Sequence, residues 1–105
     1  MSSRSVGLLS AVAWLASTQA GCTAIISRSR VAAAEDRVLV ARQAGAEKRC
    51  PYEFTAAGLY LEKAREEEAR ARYGAAAALA DEAVRLAEAA RVEAAASAGS
   101  TEEEE

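Results

Sequence analysis

The chain contains few residues of the types that carry out chemistry. It has no histidine and only two cysteines, Cys22 and Cys50, whereas histidine is the commonest general base and metal ligand in proteins. The cysteines lack the paired spacing of a zinc site, there is no glycine-rich phosphate loop, and no serine or threonine has a recognisable activating partner. The sequence therefore predicts a protein that is not an enzyme and that holds no metal or other cofactor.

Runs of glutamate are the remaining groups that could act as acids, bases or cation ligands. They occur at residues 66–68 and at the C-terminus. Acid–base chemistry needs a buried cleft, and a chain in which 29 of 105 residues are alanine offers no obvious one. We interpret the internal run as a solvated helix face, with Glu66–Arg70 and Glu68–Arg72 ion pairs at the favourable i,i+4 spacing.

Cys22 is the residue whose surroundings indicate a covalent modification. Arg4 precedes an apolar run from Val6 to Ala16, and small residues follow up to the cysteine. That order is typical of a secretory signal peptide, and the run is shorter than the roughly 20 apolar residues that a membrane-spanning helix needs. We therefore expect residues 1–21 to be a signal peptide.

The end of this segment resembles the lipobox of bacterial lipoproteins. Residues 19–22 read Gln-Ala-Gly-Cys, where the usual form is Leu-Ala-Gly-Cys. The resemblance implies cleavage between Gly21 and Cys22 and acylation of Cys22, for example with palmitate, so that the protein is fixed to a membrane. Thr23 stands where some lipoproteins carry an aspartate that retains them in the inner membrane. The resemblance thus implies the outer membrane, on the side that faces the periplasm.

Two other outcomes remain open for the same segment. Ordinary signal peptidase could cut after Ala20 and release a soluble protein, or the segment could stay uncut as an anchor. Gln19 departs from the preferred leucine of the lipobox, which leaves room for both. The thiol of Cys22 separates the three outcomes, because only lipidation requires it.

Charge excludes one class of partner and leaves another open. The 13 basic residues are interspersed with 16 acidic ones, for a net charge of −3, which does not favour nucleic-acid binding. Arg28, Arg30 and Arg37 follow the signal peptide closely. We interpret them as a solvated helix face, with contact to lipid headgroups as the alternative.

Cys50 would be the one remaining thiol if Cys22 is acylated. A single thiol in an oxidising compartment is compatible with an intermolecular disulfide. We favour a buried small apolar residue, since free cysteine packs that way, with the disulfide as the alternative.

Pro51 marks the clearest break between helices. Proline disfavours the α conformation in the residue before it but suits the first turn of a following helix, where Glu53 complements the helix dipole. Gly74 predicts a turn, because glycine adopts the left-handed conformation that ends many helices. We expect helices at about 24–48, 51–72 and 75–97, making a helical domain over 22–98, and a disordered acidic tail at 99–105.

Each predicted helix carries small and apolar residues at steps of three and four, which places them on one face. Gly45 shares the first of these faces, where it could permit close helix approach or mark fraying. The second and third helices are similar in length, as an antiparallel αα-hairpin requires. We expect an all-α fold: a signal peptide followed by a three-helix arrangement with a C-terminal antiparallel αα-hairpin. The faces are Val31, Ala34, Val38 and Ala41; Phe54, Ala57, Leu61 and Ala64, widened by Gly58 and Tyr60; and Ala76, Leu79, Ala80, Ala83, Leu86, Ala87 and Ala90.

The aromatic residues beyond the signal peptide are Tyr52, Phe54, Tyr60 and Tyr73. They could fill space in the core that alanine leaves empty. They could instead form an exposed face for a partner, because aromatic residues are enriched at interfaces. Both interpretations stay open from the sequence.

Several segments of the predicted helices resemble a known family. They are Ala-Arg-Gln-Ala-Gly-Ala at 41–46, Pro-Tyr-Glu-Phe-Thr-Ala-Ala at 51–57, Leu-Tyr-Leu-Glu-Lys-Ala-Arg-Glu-Glu at 59–67, Tyr-Gly-Ala-Ala at 73–76 and Ala-Asp-Glu-Ala-Val-Arg-Leu-Ala at 80–87. Together they are similar to the helical domain of unknown function in small outer-membrane and periplasmic lipoproteins of proteobacteria. The resemblance implies a helical hairpin packed on a preceding helix, much like one tetratricopeptide unit, and it supplies no catalytic residue.

These observations lead to one main functional hypothesis and two alternatives. The main hypothesis is a lipid-anchored helical scaffold or interaction protein of the bacterial cell envelope, with the membrane and an envelope protein as partners. The first alternative is a structural protein that self-associates as a coiled coil, locked by Cys50. The second is a soluble periplasmic binding or chaperone-like module, in case Cys22 is not lipidated.

Overall fold

The computed structural model describes the backbone of residues 2–104 and the side chains of residues 21–100. It confirms the all-α fold class: the described residues form helices and no strand. There are three long helices and one short one. They are α1 (Ser2–Gln43), α2 (Ala46–Arg49), α3 (Pro51–Ala69) and α4 (Tyr73–Glu104).

The three long helices pack side by side as an up-down-up bundle. Ser27 on α1 donates a hydrogen bond to Glu68 on α3, and Glu35, further along α1, accepts one from Arg65, which lies earlier on α3. The order of these contacts makes α3 antiparallel to α1. The chain reverses again after α3, so α4 runs antiparallel to α3, as predicted for the C-terminal hairpin. The central helix is α4, which packs along both α1 and α3, whereas α1 and α3 touch over a shorter stretch.

The core consists largely of alanine, above all on α4. Its buried positions recur at alternating steps of four and three residues, the spacing of a coiled-coil seam. Alanine at every one of these positions leaves little side-chain volume between the helices, so their backbones approach closely. Most residues of the predicted faces lie in the core, but Gly58, Leu79 and Leu86 are only half-buried, and Tyr60, predicted to widen the second face, is exposed. The α4 seam is Ala76, Ala80, Ala83, Ala87, Ala90 and Ala94, and it meets Val31, Ala34, Val38 and Ala41 of α1 and Phe54, Ala57, Leu61 and Ala64 of α3.

The first helix ends earlier than its predicted end near residue 48. It stops at Gln43, and Gly45 adopts a left-handed conformation with φ of 86°. The short α2 then begins at Ala46. Because a left-handed residue is strained for any side chain with a Cβ, Gly45 is the position that permits this bend. It does not continue the apolar face of α1.

Helix α3 begins at residue 51, where the sequence predicts the start of its second helix. Cys50 has a non-helical backbone conformation, and Pro51 occupies the first turn of α3 together with Glu53. The missing N–H of proline is one that a helix start leaves without an intrahelical partner in any case.

The turn between α3 and α4 differs from the prediction. The N–H of Arg72 donates to the carbonyl of Glu67 and the N–H of Ala71 to the carbonyl of Glu68, each at 2.9 Å. This pair of bonds is a Schellman motif, which needs a left-handed residue just past the helix. Ala71 fills that position with φ of 60°, so α3 ends at Ala69 and not near 72. Gly74, the predicted turn residue, lies inside α4.

The fourth helix continues beyond its predicted end near residue 97. It extends to Glu104, across most of the segment for which a disordered tail is predicted. Alanine and glutamate are among the strongest helix formers. The single glycine in this segment, Gly99, lowers the stability of the helix only modestly. Within the predicted tail, the structure describes the backbone up to residue 104 and the side chains up to residue 100.

Candidate functional site

Cys22 lies at one end of the bundle and is exposed, as is Gly21 before it. The ion pair between Arg30 on α1 and Asp81 on α4 joins residues that are 51 positions apart in the sequence. Because these two helices run parallel, the same separation brings Cys22 level with Tyr73, the first residue of α4. Both predicted residues of the cleavage site therefore lie at the edge of the packed helices.

The described core begins five residues after this cysteine. Ser27 is the first fully buried side chain on α1, and Ala94 on α4 is the last buried residue of the core. No described side chain before Ala24 is even half-buried. Residues 1–20 lie outside the part of the chain whose side chains are described, so the signal peptide stays a prediction.

Two apolar and three basic side chains lie near this end of the bundle. Ile25 and Ile26 are 71% and 51% exposed. Arg28 is exposed on α1, and the antiparallel register of α1 and α3 brings it near the level of the turn that contains Arg70 and Arg72. We call these five residues the end surface. Its members come from two separate segments of the chain, so their spacing in sequence does not group them.

One buried carboxylate lies just inside the end surface. Glu67 is 6% exposed, and its carboxylate forms ion pairs with Lys63 and Arg70 at 3.9 Å and with Arg72 at 3.6 Å. The predicted pairs with Glu66 and Glu68 are wrong for both arginines. They lie beyond the last residue of α3, where the helical i,i+4 geometry no longer applies.

The other two arginines of the predicted basic cluster have partners. Arg30 forms an ion pair with Asp81 at 2.6 Å, and Arg37 one with Glu88 at 3.3 Å. One carboxylate oxygen of Glu88 is buried and accepts no hydrogen bond of good geometry. The guanidinium of Arg37, 3.3 Å away, stabilises that oxygen electrostatically. These arginines therefore serve the packing of α1 on α4, and Arg28 alone of the cluster belongs to the end surface.

Cys50 is 3% exposed and has no disulfide partner within the described residues. Burial raises the pKa of its thiol, and the nearby carboxylates of Glu93 and Glu53 raise the pKa further against a smaller opposing effect of Arg49. The structure thus places the thiol where the small apolar interpretation expects it. A disulfide with a second chain would require this region to open.

The four aromatic residues do not form one face. Phe54 is buried in the core, where the Arg42 guanidinium lies 5.5 Å from the ring centre. Tyr52, two residues earlier, points away from the core and is 80% exposed. Tyr73 is half-buried at the opposite end of the hairpin. Successive helical residues differ by about 100° in direction, so Tyr52 and Phe54 cannot share a face.

Tyr52 and Tyr60 instead lie along an exposed apolar strip on the hairpin. Two shallow hollows follow this strip and share Leu59, which is 60% exposed. Leu79 contributes from α4 at the end near Tyr60. We call this strip the hairpin groove. It is lined by Pro51, Tyr52, Thr55, Ala56, Leu59, Tyr60, Lys63 and Leu79.

The described residues contain no membrane-spanning helix and no metal site. None of the helices in that part of the chain combines the length and the apolar character that membrane crossing requires. The same residues contain no group of three acidic, cysteine or histidine side chains arranged to hold a metal ion.

Comparisons with protein-family models, with curated proteins and with solved structures found no match for this chain. The resemblance to envelope lipoproteins thus remains a prediction from the residues that carry it.

Proposed function

We propose that this protein is a lipid-anchored helical scaffold of the bacterial cell envelope, without enzymatic activity of its own. In this proposal Cys22 becomes the acylated N-terminus and the three-helix bundle faces the periplasm from the outer membrane. The hairpin groove then offers its apolar surface to an envelope protein.

The position of the core relative to Cys22 is the observation that carries this proposal. Cleavage before Cys22 would remove no buried side chain of the described core, which begins at Ser27. The new N-terminus would be exposed at the end of the bundle, where acyl chains can enter a bilayer without disturbing the packing. A cysteine in the middle of the core would have argued against lipidation, and Cys50 illustrates that contrast.

The hairpin groove supports the interaction part of the proposal. Tyr52 and Leu59 are 80% and 60% exposed on one side of α3. Aromatic and large aliphatic side chains left in solvent in this way often mark a surface that another molecule covers.

Self-association through the apolar stripes is a weaker candidate. The stripe residues that would form a coiled coil between chains, such as Val38, Leu61 and Ala87, are buried within one chain. Assembly through them would require the bundle to open. Self-association through another surface is not affected by this argument.

The test is the intact mass and the membrane partitioning of the natively expressed protein beside a Cys22→Ser variant. We expect the native protein to sediment with membranes at a mass raised by acyl chains, and the variant to lose both properties. A Cys50→Ala variant is the matched control, because it removes the other thiol and should still be acylated.

An unmodified Cys22 would overturn the proposal. Cleavage after Ala20 with both forms soluble would favour the released periplasmic module. Acylation of the Cys50→Ala variant together with loss of acylation in Cys22→Ser would assign the anchor to one sulfur atom.

A further inference from the structure

We propose that the end surface (Ile25, Ile26, Arg28, Arg70 and Arg72) docks on anionic phospholipid headgroups and holds the bundle with this end against the bilayer. The inference rests on acylation of Cys22 and goes beyond it, since acyl chains alone fix the protein to the membrane without setting its orientation.

The first step is the short distance between the anchor and the end surface. Arg28 follows Cys22 by six residues on a continuous helix, a rise of about 9 Å along the axis. The hydrogen bond from Ser27 to Glu68 sets the antiparallel register and places the turn at residues 70–72 between the levels of Cys22 and Arg28. An acylated Cys22 at the membrane surface therefore places all three guanidinium groups within about one Debye length of the headgroups at physiological salt.

The second step is the charge of the groups nearest the membrane. Arg70 and Arg72 are 59% and 65% exposed in their side chains, although both pair with Glu67. The side chain of Glu67 is 8% exposed, so solvent and lipid meet the cations and not the anion. Glu66 and Glu68 lie earlier on α3 than these two arginines, where they contact Lys63 and Ser27. Among the described residues, Arg70 and Arg72 are thus the charged side chains nearest the Cys22 end, and Arg28 lies near the level of Glu68.

The third step is the exposure of two large apolar side chains at the same end of the bundle. Ile25 and Ile26 lie three and four residues after the proposed anchor and face solvent. Apolar side chains combined with arginine are the pairing that binds membrane interfaces, where the apolar groups enter the acyl boundary and the cations meet the headgroups. Neither isoleucine belongs to the core.

The experiment uses a fluorescent reporter that the processed protein lacks. Trp14 is the only tryptophan of the chain and would leave with the signal peptide, so Tyr73→Trp introduces a unique probe at the end surface. Acylated protein carrying this probe is reconstituted into vesicles whose lipids bear bromine near the headgroup. The vesicles consist of phosphatidylcholine alone or of phosphatidylcholine mixed with phosphatidylglycerol. Tyr52→Trp, at the opposite end of the hairpin, is the matched control.

We expect quenching of the probe at position 73 in the anionic vesicles, weaker quenching in phosphatidylcholine or at high salt, and none at position 52. Each arginine should add about fivefold to the docked population, so an Arg70→Gln, Arg72→Gln double variant should lose on the order of 25-fold. An Arg42→Gln, Lys48→Gln variant makes the same charge change at the other end of the bundle and should lose nothing.

A second variant keeps the test valid if loss of two of the three ion-pair partners of Glu67 unfolds the protein. Arg28 takes part in no ion pair within the described residues, so Arg28→Gln should leave the fold intact. This variant alone should lower the docked population about fivefold. Unquenched probe in protein whose mass shows acylation would overturn this inference and leave the anchor intact. Equal quenching in neutral and anionic vesicles would overturn the assignment to anionic headgroups. Absence of acylation would instead refute the proposed function.

Discussion

Arg30 on α1 and Asp81 on α4 form an ion pair at 2.6 Å, and Arg37 and Glu88 repeat it one heptad further along both helices at 3.3 Å. The two pairs share one separation in sequence, so they define a parallel register for helices that are not adjacent in the chain. An alanine seam fits several registers almost equally well, because its positions are identical. The charge pairs distinguish among these registers.

Reversal of one charge in this ladder should destabilise the bundle, and reversal of its partner should restore it. We expect Arg30→Glu to lower the free energy of unfolding by roughly 0.5–1 kcal/mol, since the pair is half-exposed and such pairs are weak. The Arg30→Glu, Asp81→Arg double variant should recover most of the loss. Urea unfolding of the wild-type protein, of the two single variants Arg30→Glu and Asp81→Arg, and of the double variant measures the coupling. Additive effects of the two changes would contradict a register role for this pair.

Replacement of an alanine on α4 by a larger residue should destabilise the bundle at buried positions only. Ala83 is fully buried on α4, whereas Ala89 on the same helix is exposed. We expect Ala83→Leu to destabilise the bundle by about 1–3 kcal/mol, because an overpacked core must separate the helices. Ala89→Leu should change stability by less than about 0.5 kcal/mol. Thermal unfolding followed by circular dichroism tests this, and equal tolerance of both changes would mean that the close approach of the helices is not required.

The turn between α3 and α4 predicts two stabilising substitutions. Ala71 is left-handed, which costs a residue with a Cβ about 1–2 kcal/mol, so Ala71→Gly should stabilise by roughly 0.5–1 kcal/mol after the entropy of glycine is counted. Gly74 lies in a helix, and a Cβ built there meets no atom within 4 Å. Gly74→Ala should therefore stabilise by a similar amount.

Gly45→Ala is the opposing control for this pair. Gly45 has φ of 86°, so alanine there should destabilise by about 1 kcal/mol or more. Denaturant midpoints of the three variants test the assignment. Destabilisation by Ala71→Gly would show that the left-handed residue of the turn lies elsewhere.

The inward faces of the helices were predictable because their spacing alone determines which residues lie together. Phe54 and Leu61 on α3 and the alanines of α4 follow from steps of three and four. The burial of Glu67 also continues that spacing, since it lies three residues after Ala64, but its charge argued for a solvated face. Only the folded turn brings two arginines back to it.

The grouping of the aromatic residues shows a second limit. Tyr52 and Phe54 are both aromatic, although positions two residues apart on a helix point in nearly opposite directions. The placement of Tyr52 in the hairpin groove and of Phe54 in the core could therefore have been predicted from the sequence. The end surface was not, because Arg28 and Arg72 are neighbours only through the antiparallel packing of α1 and α3.

The buried thiol of Cys50 predicts a pH dependence of stability. Burial, followed by Glu93 and Glu53, holds the pKa of this thiol above its ordinary value, so the folded protein keeps the proton at pH values where the unfolded chain has lost it. The contribution of the thiol to stability is therefore fully present below pH of about 8.5. It is lost as the pH rises above that value, because ionisation then favours the unfolded state.

Unfolding midpoints measured from neutral to alkaline pH should fall more steeply for the Cys22→Ser chain, in which Cys50 is the only thiol, than for a Cys22→Ser, Cys50→Ala chain. The difference between the two curves removes the effect of lysine and tyrosine titration. The same burial predicts that a maleimide labels Cys50 far more slowly in the folded protein than in urea. Parallel pH curves together with rapid labelling of the folded protein would show that this thiol is open to solvent. An intermolecular disulfide at Cys50 could then form without opening the bundle.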